Sequence, residues 1–432
     1  MAEKHARLPF INKDTAPGLL LLLATAIALY LANSSFADTY FMVLKEKFQV
    51  GFKNQGKLEL TIGHWINDGL MVVFFLLAGL EIKREIMQGE LSTWRKASMP
   101  IMAAIGGMVV PALFFYLFNP SGETANGWGI PMATDIAYSL GLLALLGSRV
   151  PLKLKLFLTA LAIADDLGAI MVIAIFYSSH LALGQLLLAL GIYVGLIIMN
   201  QSGVKKLWKY ILPGLAFWAC FIHSGIHPTI AGVMFAFVIP INAELSGPRV
   251  RLNIKKHLLR LKPRDLERHN PISSATQQHR LSKIEEVTKA AQPPLLKLEH
   301  KLHGFNSFII LPLFALANAG VVFSGNVIEG LGSNLSLGII GGLFFGKFIG
   351  ISLFTYLGEK LKLGTLDPDL TWKRIMGLGF MAGIGFTMSL FISNLAFSNE
   401  ELVNQSKLAI LAASFLSAVI GLSLIKSTLK QD

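Results

Sequence analysis

Four ionisable residues interrupt long apolar stretches of this sequence: Asp135, Asp165, Asp166 and Lys347. A charged side chain at the centre of a bilayer costs about 2.5–3.5 kcal/mol on insertion scales, so such residues usually serve a function. Asp165 and Asp166 lie about 100° apart around a helix and can therefore border one polar cavity. Thr134 adds a hydroxyl oxygen beside Asp135. Carboxylate and hydroxyl oxygens suit a small hard cation, and buried carboxylates also bind protons. One site that holds either Na+ or H+ is the physical core of an antiporter.

Lys347 is the one basic residue within these apolar stretches whose position suggests a partner. Its ammonium group can neutralise a carboxylate when no cation is bound. The alternative is a buried salt bridge that only holds helices together, and the residues alone leave both interpretations open.

The composition predicts a membrane protein. Of 432 residues, 53% are hydrophobic and 15% are charged, whereas a soluble domain has about 25% charged residues. The single cysteine, Cys220, cannot form an internal disulfide. Apolar runs of about 20 residues predict transmembrane helices. We predict twelve spans, at about 14–33, 64–84, 97–118, 124–146, 154–178, 182–200, 207–222, 226–241, 304–322, 333–357, 373–397 and 406–426.

The distribution of basic residues predicts the topology. With the N-terminus inside, 32 of the 38 Lys and Arg residues fall in cytoplasmic segments and four fall in the outer loop 34–63. This asymmetry predicts that both termini are cytoplasmic. It also explains the net charge of +12 without a nucleic-acid partner. The first span could instead be a cleaved signal peptide, because three basic residues precede it and Ser35–Ala37 resembles a cleavage site.

The predicted spans define three segments of one membrane domain. Residues 1–241 hold spans one to eight with an outer β-hairpin at 48–62, residues 242–303 form a basic cytoplasmic loop, and residues 304–432 hold spans nine to twelve. Within the loop, Val250–Lys262 places Ile254, Leu258 and Leu261 on one face amid Arg and Lys. That pattern is typical of a helix lying on an anionic lipid surface.

Two predicted spans contain helix-breaking residues. Span four has Gly127, Gly129 and Pro131 ahead of Asp135, and span eleven has the run Gly377–Gly385 with four glycines. Interrupted helices leave free carbonyl groups and helix dipole ends inside the membrane. We expect Asp135 to lie at helix N-terminal ends and Lys347 at C-terminal ends. Interrupted helices in both halves predict an inverted-repeat transporter with its site at midplane, although glycines also allow close helix packing.

Seven stretches make the chain similar to the NhaA-type Na+/H+ antiporters, and they are spread in order over nearly its whole length. They are WINDGLMVVFFLLAGLEIKREIMQGE (65–90), MATDIAYSLGLLALLGSRVP (132–151), LTALAIADDLGAI (158–170), SGIHPTIAGV (224–233), ILPLFALANAGV (310–321), FFGKFIGISLF (344–354) and GIGFTMSLFI (383–392). The resemblance implies an all-α membrane protein of about twelve transmembrane helices with inverted repeats. It also implies two discontinuous helices that cross at midplane and a small extracytoplasmic β-hairpin.

The resemblance further implies a role for each matching site residue. Asp165 and Asp166 would bind Na+ or H+, Asp135 and Thr134 would assist them, and Lys347 would pair with Asp165 or Asp135. Asp68 would face the transport region. The cytoplasmic pH-response cluster would contain Glu81, Arg84, Glu85 and Glu299, with His227 as a further member.

Plainer interpretations of the cluster remain open. Glu81, Arg84 and Glu85 could form ordinary ion pairs at a helix end, and His227 could be a satisfied polar residue at a helix start. The loop 242–295 departs from the family pattern because it is longer than we expect.

The resemblance also predicts the activity, which is electrogenic exchange of cytoplasmic Na+ or Li+ for external H+ in a bacterial inner membrane. No cofactor is expected, and the hairpin would contribute to a homodimer. Two other function classes remain, a cation-coupled symporter or channel and an intramembrane aspartyl protease. A protease needs carboxylates that face each other from separate helices, which adjacent Asp165 and Asp166 do not provide.

Overall fold

The computed structural model describes residues 15–52, 55–178, 181–245, 247–259, 275–323 and 330–429. These residues are mostly helical. The helices of the first half are α1 (Ala16–Ala32), α2 (Ala37–Lys45), α3 (Ile62–Gln88), α4 (Trp94–Phe118), α5 (Ile136–Ala144), α6 (Leu152–Phe176), α7 (Leu183–Gln201), α8 (Trp208–Ile222) and α9 (Thr229–Val238). Those of the second half are α10 (Gly247–Leu258), α11 (Ala275–Ala291), α12 (294–318), α13 (Asn334–Lys360), α14 (Trp372–Ala382), α15 (Phe386–Ala396) and α16 (Glu400–Lys426).

Within the described ranges, six helices are long and apolar enough to cross a membrane: α3, α4, α6, α7, α13 and α16. Two bent pairs raise the number to eight, namely α1 with α2 at 110° and α14 with α15 at 44°. The remaining predicted spans coincide with shorter or interrupted helices, such as α8 and α9. Twelve membrane crossings therefore remain a prediction. In helix α6, 67% of the most apolar 18-residue stretch is buried inside the protein, so this helix lies at the centre of the bundle.

The predicted β-hairpin is present. Strands β1 (Lys47–Phe52) and β2 (Gln55–Thr61) pair antiparallel, with Phe48 opposite Leu60. The indole N–H of Trp65 donates to the Phe48 carbonyl at 3.2 Å, which holds the hairpin against the start of α3. The predicted turn residue Asn54 lies outside the described residues.

Both helices predicted to be broken are interrupted. In span four, a 3₁₀ segment (Glu123–Met132) ends in extended backbone at Ala133, and α5 begins after Asp135. In span eleven, Gly383–Gly385 separate α14 from α15. The Asp135 amide donates to the Ile384 carbonyl at 2.7 Å, so the two interruptions are in contact. Their crossing at the bilayer midplane remains a prediction.

The segment between α9 and α12 contains structure that the sequence pattern did not predict. Helix α11 was not expected, and α12 begins at Pro294, ten residues before the predicted start of span nine. Charged residues at 297–303 lower the hydropathy of the first turns of α12, so a search for apolar runs misses the start of this helix. It forms because Leu295, Leu298 and Leu302 pack on the apolar cluster around Leu80. Part of the predicted lipid-binding helix, 260–262, lies outside the described residues.

Candidate ion-binding site

Asp165 and Asp166 lie in the middle of α6 and are buried, with 1% and 3% of their surfaces exposed. Asp165 Oδ2 accepts hydrogen bonds from Lys347 Nζ at 2.5 Å and from Thr134 Oγ1 at 2.6 Å. Lys347, at the end of a π-helical turn in α13, is 0% exposed. The structure therefore pairs Lys347 with Asp165, one of the two partners considered, in a fully buried ion pair.

Among the described residues, one carboxylate oxygen on each of the two aspartates has no hydrogen-bond partner. These are Asp165 Oδ1 and Asp166 Oδ1, and both atoms are buried. Buried polar atoms without partners are costly, and an ionised carboxylate more so. Two such oxygens on adjacent residues form an arrangement that a bound cation or proton would satisfy.

Asp135 caps the N-termini of two helices at once. Its Oδ1 accepts from the Tyr138 amide of α5 at 2.9 Å, and its Oδ2 accepts from the Thr387 amide of α15 at 3.0 Å. The Thr387 hydroxyl also donates to Oδ2, at 2.5 Å. A negative charge is favourable at helix N-termini, so Asp135 stabilises both half-helices of the interrupted pair.

Hydroxyl groups satisfy the carbonyl ends of the interrupted helices, and Lys347 does not. The Ala382 carbonyl accepts from Thr134 Oγ1 at 2.9 Å and the Met381 carbonyl accepts from Ser139 Oγ at 2.9 Å. The expectation that Lys347 meets helix C-terminal ends is wrong, because among the described residues it donates to Asp165. In span four, the Ile130 carbonyl accepts from Ser389 Oγ at 2.8 Å.

The hydroxyl group of Thr134 has two acceptors within reach but only one proton. It lies against both Asp165 Oδ2 and the Ala382 carbonyl, and a hydroxyl can donate to only one of them at a time. The charge on Asp165 is thereby coupled to the end of α14.

This coupling gives a testable expectation for Thr134→Val, which keeps the shape and removes the hydroxyl. A hydrogen bond to a charged group contributes about 1.5–3 kcal/mol, so we expect the Na+ concentration for half-maximal transport to rise at least about tenfold. The matched control is Thr159→Val on α6, the helix of Asp165, where the Thr159 hydroxyl donates to the Lys155 carbonyl. Equal effects of both substitutions would exclude Thr134 from the site.

Asp68 and His227 lie close to one another and not in hydrogen-bonding contact with the Lys347–Asp165 pair. Asp68, on a π-helical turn near the start of α3, has its Oδ1 3.7 Å from His227 Nε2. His227 Nδ1 also lies 2.7 Å from the Thr229 hydroxyl. The family resemblance implies different roles for them, Asp68 in the transport region and His227 in the pH-response cluster.

The cytoplasmic cluster links α3 to α12. Arg84 Nη1 donates to Glu85 Oε1 at 2.6 Å, and Arg84 Nε donates to Glu299 Oε1 at 3.0 Å. Glu85 Oε2 also accepts from the Glu90 amide at 2.8 Å. Glu81, one turn before Glu85 on α3, is half-buried. One guanidinium group is therefore shared between carboxylates of two helices.

Sequence reasoning missed the hydroxyl residues Ser139, Thr387 and Ser389. A usable signal was present, because Ser and Thr side chains near helix breaks commonly satisfy the backbone groups that the break frees. All three lie within a turn or two of the interruptions, in otherwise apolar segments.

Interrupted helices that meet around buried ionisable residues are typical of multi-pass secondary transporters. The family model for Na+/H+ antiporter 1 matches residues 9–425. The chain is 51% identical over 412 residues to the Na(+)/H(+) antiporter NhaA of Christiangramia forsetii, covering 95% of this chain and 92% of that protein. It is 43% identical over 420 residues to the Na(+)/H(+) antiporter NhaA of Syntrophobacter fumaroxidans, covering 96% and 88%. It is 46% identical over 414 residues to the Na(+)/H(+) antiporter NhaA 2 of Aliarcobacter butzleri, covering 95% and 94%.

The chain belongs to the Na+/H+ antiporter 1 family, which confirms the resemblance predicted from sequence. It is a multi-pass bacterial membrane protein. Because the family consists of transporters, the intramembrane protease is excluded as a function class.

Proposed function

We propose that this protein exchanges cytoplasmic Na+ or Li+ for external H+ by alternating access. The observation that carries the proposal is the pair of unpartnered oxygens, Asp165 Oδ1 and Asp166 Oδ1, beside the buried Lys347–Asp165 ion pair. These buried carboxylate oxygens are suited to bind a cation or protons. More than one proton per cation would make the exchange electrogenic.

The exchange follows from competition for the same oxygens. With both aspartates deprotonated, Na+ binds their carboxylates and Thr134, all of which are hard oxygen ligands. The site then opens to the other side and releases the ion, and protons neutralise the carboxylates before the return step. The ammonium group of Lys347 neutralises Asp165 when no cation is bound, which lowers the cost of an empty site.

Proton flux in everted vesicles tests this function. Adding Na+ to acidified vesicles should release protons, and Li+ should act similarly. A symporter would instead move protons and Na+ in the same direction. A proton-conducting channel would instead let protons leave the acidified vesicles before any Na+ is added.

Three further features belong to the proposal. Both termini face the cytoplasm of a bacterial inner membrane, as the distribution of Lys and Arg favours. The β-hairpin contributes to a homodimer. The cluster of Glu81, Arg84, Glu85 and Glu299, together with His227, makes the activity depend on pH. The sharing of Arg84 between carboxylates on α3 and α12 supports the role of the cluster, since protonating either one would change the tie between two helices.

Helix α10 is the part of the cytoplasmic segment suited to anionic lipid. It carries Arg249, Arg251, Lys255 and Lys256 and no acidic residue, and its Leu252 is exposed. In α11, by contrast, Lys283 pairs with Glu286 at 2.8 Å and Lys289 with Glu285 at 2.6 Å. The hydrogen bond from Lys283 lowers the pKa of Glu286, which favours the ionised form that pairs with Lys283. The basic residues of α10, which has no acidic residue of its own, are therefore the ones available to bind an anionic lipid surface.

Deleting residues 246–289 should leave exchange at its best pH within about twofold of the intact protein, because the buried ionisable residues lie elsewhere. The deletion can be closed without moving α9 or α12, since the Glu244 and Leu245 amides both donate to the Ala290 carbonyl at 3.1 Å. We expect the pH dependence of Na+-driven proton release to change in vesicles with anionic lipid and not in neutral vesicles. Superimposable curves in both lipids would identify the segment as a passive insertion, and complete loss of exchange would place it in the transport core.

A further inference from the structure

Three asparagines form a hydrogen-bonded chain at the end of the bundle that carries the β-hairpin. Asn318 Nδ2 donates to Asn67 Oδ1 at 2.7 Å, and Asn394 Nδ2 donates to Asn318 Oδ1 at 2.7 Å. Asn318 is buried, and its amide also donates to the Phe314 carbonyl at 3.0 Å. This relay (Asn67, Asn318 and Asn394) joins α3, α12 and α15.

A layer of aromatic rings lies directly beneath the relay on the same three helices. The Phe391 ring lies 5.6 Å from that of Phe75 and 6.4 Å from that of Phe314, and the imidazole of His227 meets it edge-on at 5.3 Å. The three phenylalanines are fully buried. This aromatic layer (Phe75, Phe314 and Phe391) places buried apolar rings on all three helices that carry the relay.

Helix α15 connects both layers to the ion site. Thr387, Phe391 and Asn394 are spaced at i, i+4 and i+7, so they lie on one face of the helix. Thr387 donates to Asp135 within the interrupted pair. One helical face therefore passes from the site, through the aromatic layer, to the relay.

The side-chain hydrogen bonds divide these helices into two groups. Helices α3 and α12 are joined twice, by Asn67–Asn318 at the hairpin end and by Arg84–Glu299 at the other end. Helix α15 is joined instead to the segment around α5, through Asp135–Thr387 and Ser389–Ile130. Among the described residues, the Asn394–Asn318 bond is the side-chain hydrogen bond that crosses from α15 to the α3–α12 group.

We propose that the relay and the aromatic layer form the closure of the ion site at the hairpin end, and that the closure opens by separation of Asn394 and Phe391 from the α3–α12 group. Alternating access requires such a closure, so this inference rests on the proposed exchange function. The bond between Asn67 and Asn318 stays intact in both states, because it lies within one group.

Crosslinking tests which bond must break. In a Cys220→Ala background, Asn318→Cys with Asn394→Cys should lose at least tenfold of its Na+-driven proton release after treatment with a short bifunctional methanethiosulfonate, and a reductant should restore it. The matched control is Asn67→Cys with Asn318→Cys, which should continue to transport when crosslinked. The proposal would be overturned if the crosslinked 318–394 variant transported at the rate of the reduced protein. It would also be overturned if crosslinking stopped transport by the 67–318 variant and not by the 318–394 variant.

Thiol accessibility tests the closure independently of transport. Met71 is fully buried on α3, one turn from Asn67 and one turn from Phe75, so it lies between the two layers. In Met71→Cys protein without Cys220, adding Asn394→Leu should raise the labelling rate with a membrane-impermeant thiol reagent about fivefold, the factor for one lost hydrogen bond. Asn404→Leu, at an exposed site on α16, should leave the rate unchanged. Equal rates for both variants would overturn the closure, whereas a fully reduced protein that lacks Na+-driven proton release would contradict the exchange function instead.

Discussion

Asp166→Asn is expected to abolish Na+-driven proton release, by about 100-fold or more, while the protein remains at least as stable as the original. Asparagine keeps the size of the side chain but cannot ionise, so it neither balances the charge of a cation nor carries a transported proton. The substitution also removes a buried carboxylate whose Oδ1 has no hydrogen-bond partner among the described residues, which relieves a desolvation cost. Proton flux in reconstituted vesicles and thermal unfolding in detergent together measure both effects.

Asp165→Asn should abolish exchange equally but should lower stability. It leaves the ammonium group of Lys347 buried without its carboxylate, a loss of about 3–5 kcal/mol for a fully buried pair. The control is Asp369→Asn, an exposed carboxylate in the loop before α14, which should alter neither property. Normal exchange by Asp166→Asn would show that the site is assigned to the wrong residues, and equal stability of the two variants would contradict the asymmetric pairing.

Local sequence patterns were enough to find the ionisable groups, the helix breaks and the hairpin. Asp135, Asp165 and Asp166 stand out because charge is rare in apolar spans. The breaks near Pro131 and Gly383 follow from residues that cannot continue a helix or that weaken it. Each of these signals depends only on residues that are neighbours in sequence, so it can be recognised without knowledge of the tertiary structure.

Pairings between distant segments could not be obtained in the same way. Whether Lys347 binds Asp165 or Asp135 depends on the tertiary structure that brings α13 within reach of α6, across 182 positions of sequence. We expected the charge of Lys347 to satisfy the carbonyl groups at the end of α14. The hydroxyl groups of Thr134 and Ser139 donate to those carbonyls instead. The early start of α12 likewise depends on an apolar surface supplied by α3.

Lys347→Ala is expected to destabilise the protein by about 3–5 kcal/mol and to shift the activity profile to higher pH. Within the part of the chain that the structure describes, the substitution leaves the Thr134 hydroxyl as the one donor to the buried carboxylate of Asp165. At low pH that carboxyl group is protonated and the loss is small. As the pH rises, it must ionise in an apolar site without a cation, so the loss of stability grows and the proton is released only at higher pH. Thermal unfolding and Na+-driven proton release, each measured across pH, detect the two effects.

Companion variants separate the charge of Lys347 from its volume. Lys347→Met removes the charge and nearly keeps the volume, so it should reproduce the pH shift with less of the cavity cost that Lys347→Ala adds. Combining Lys347→Met with Asp165→Asn leaves neither buried charge, and replacing a buried ion pair by uncharged groups is often neutral or stabilising. The double variant should therefore recover most of the stability that either single variant loses, although it should not transport. Lys360→Ala, exposed at the end of the same helix, should change nothing. If the stability losses of the two single variants simply added in the double variant, the ion pair would not stabilise the fold. If Lys347→Met left the melting temperature and the pH profile unchanged, the ion pair would have no role in stability or transport.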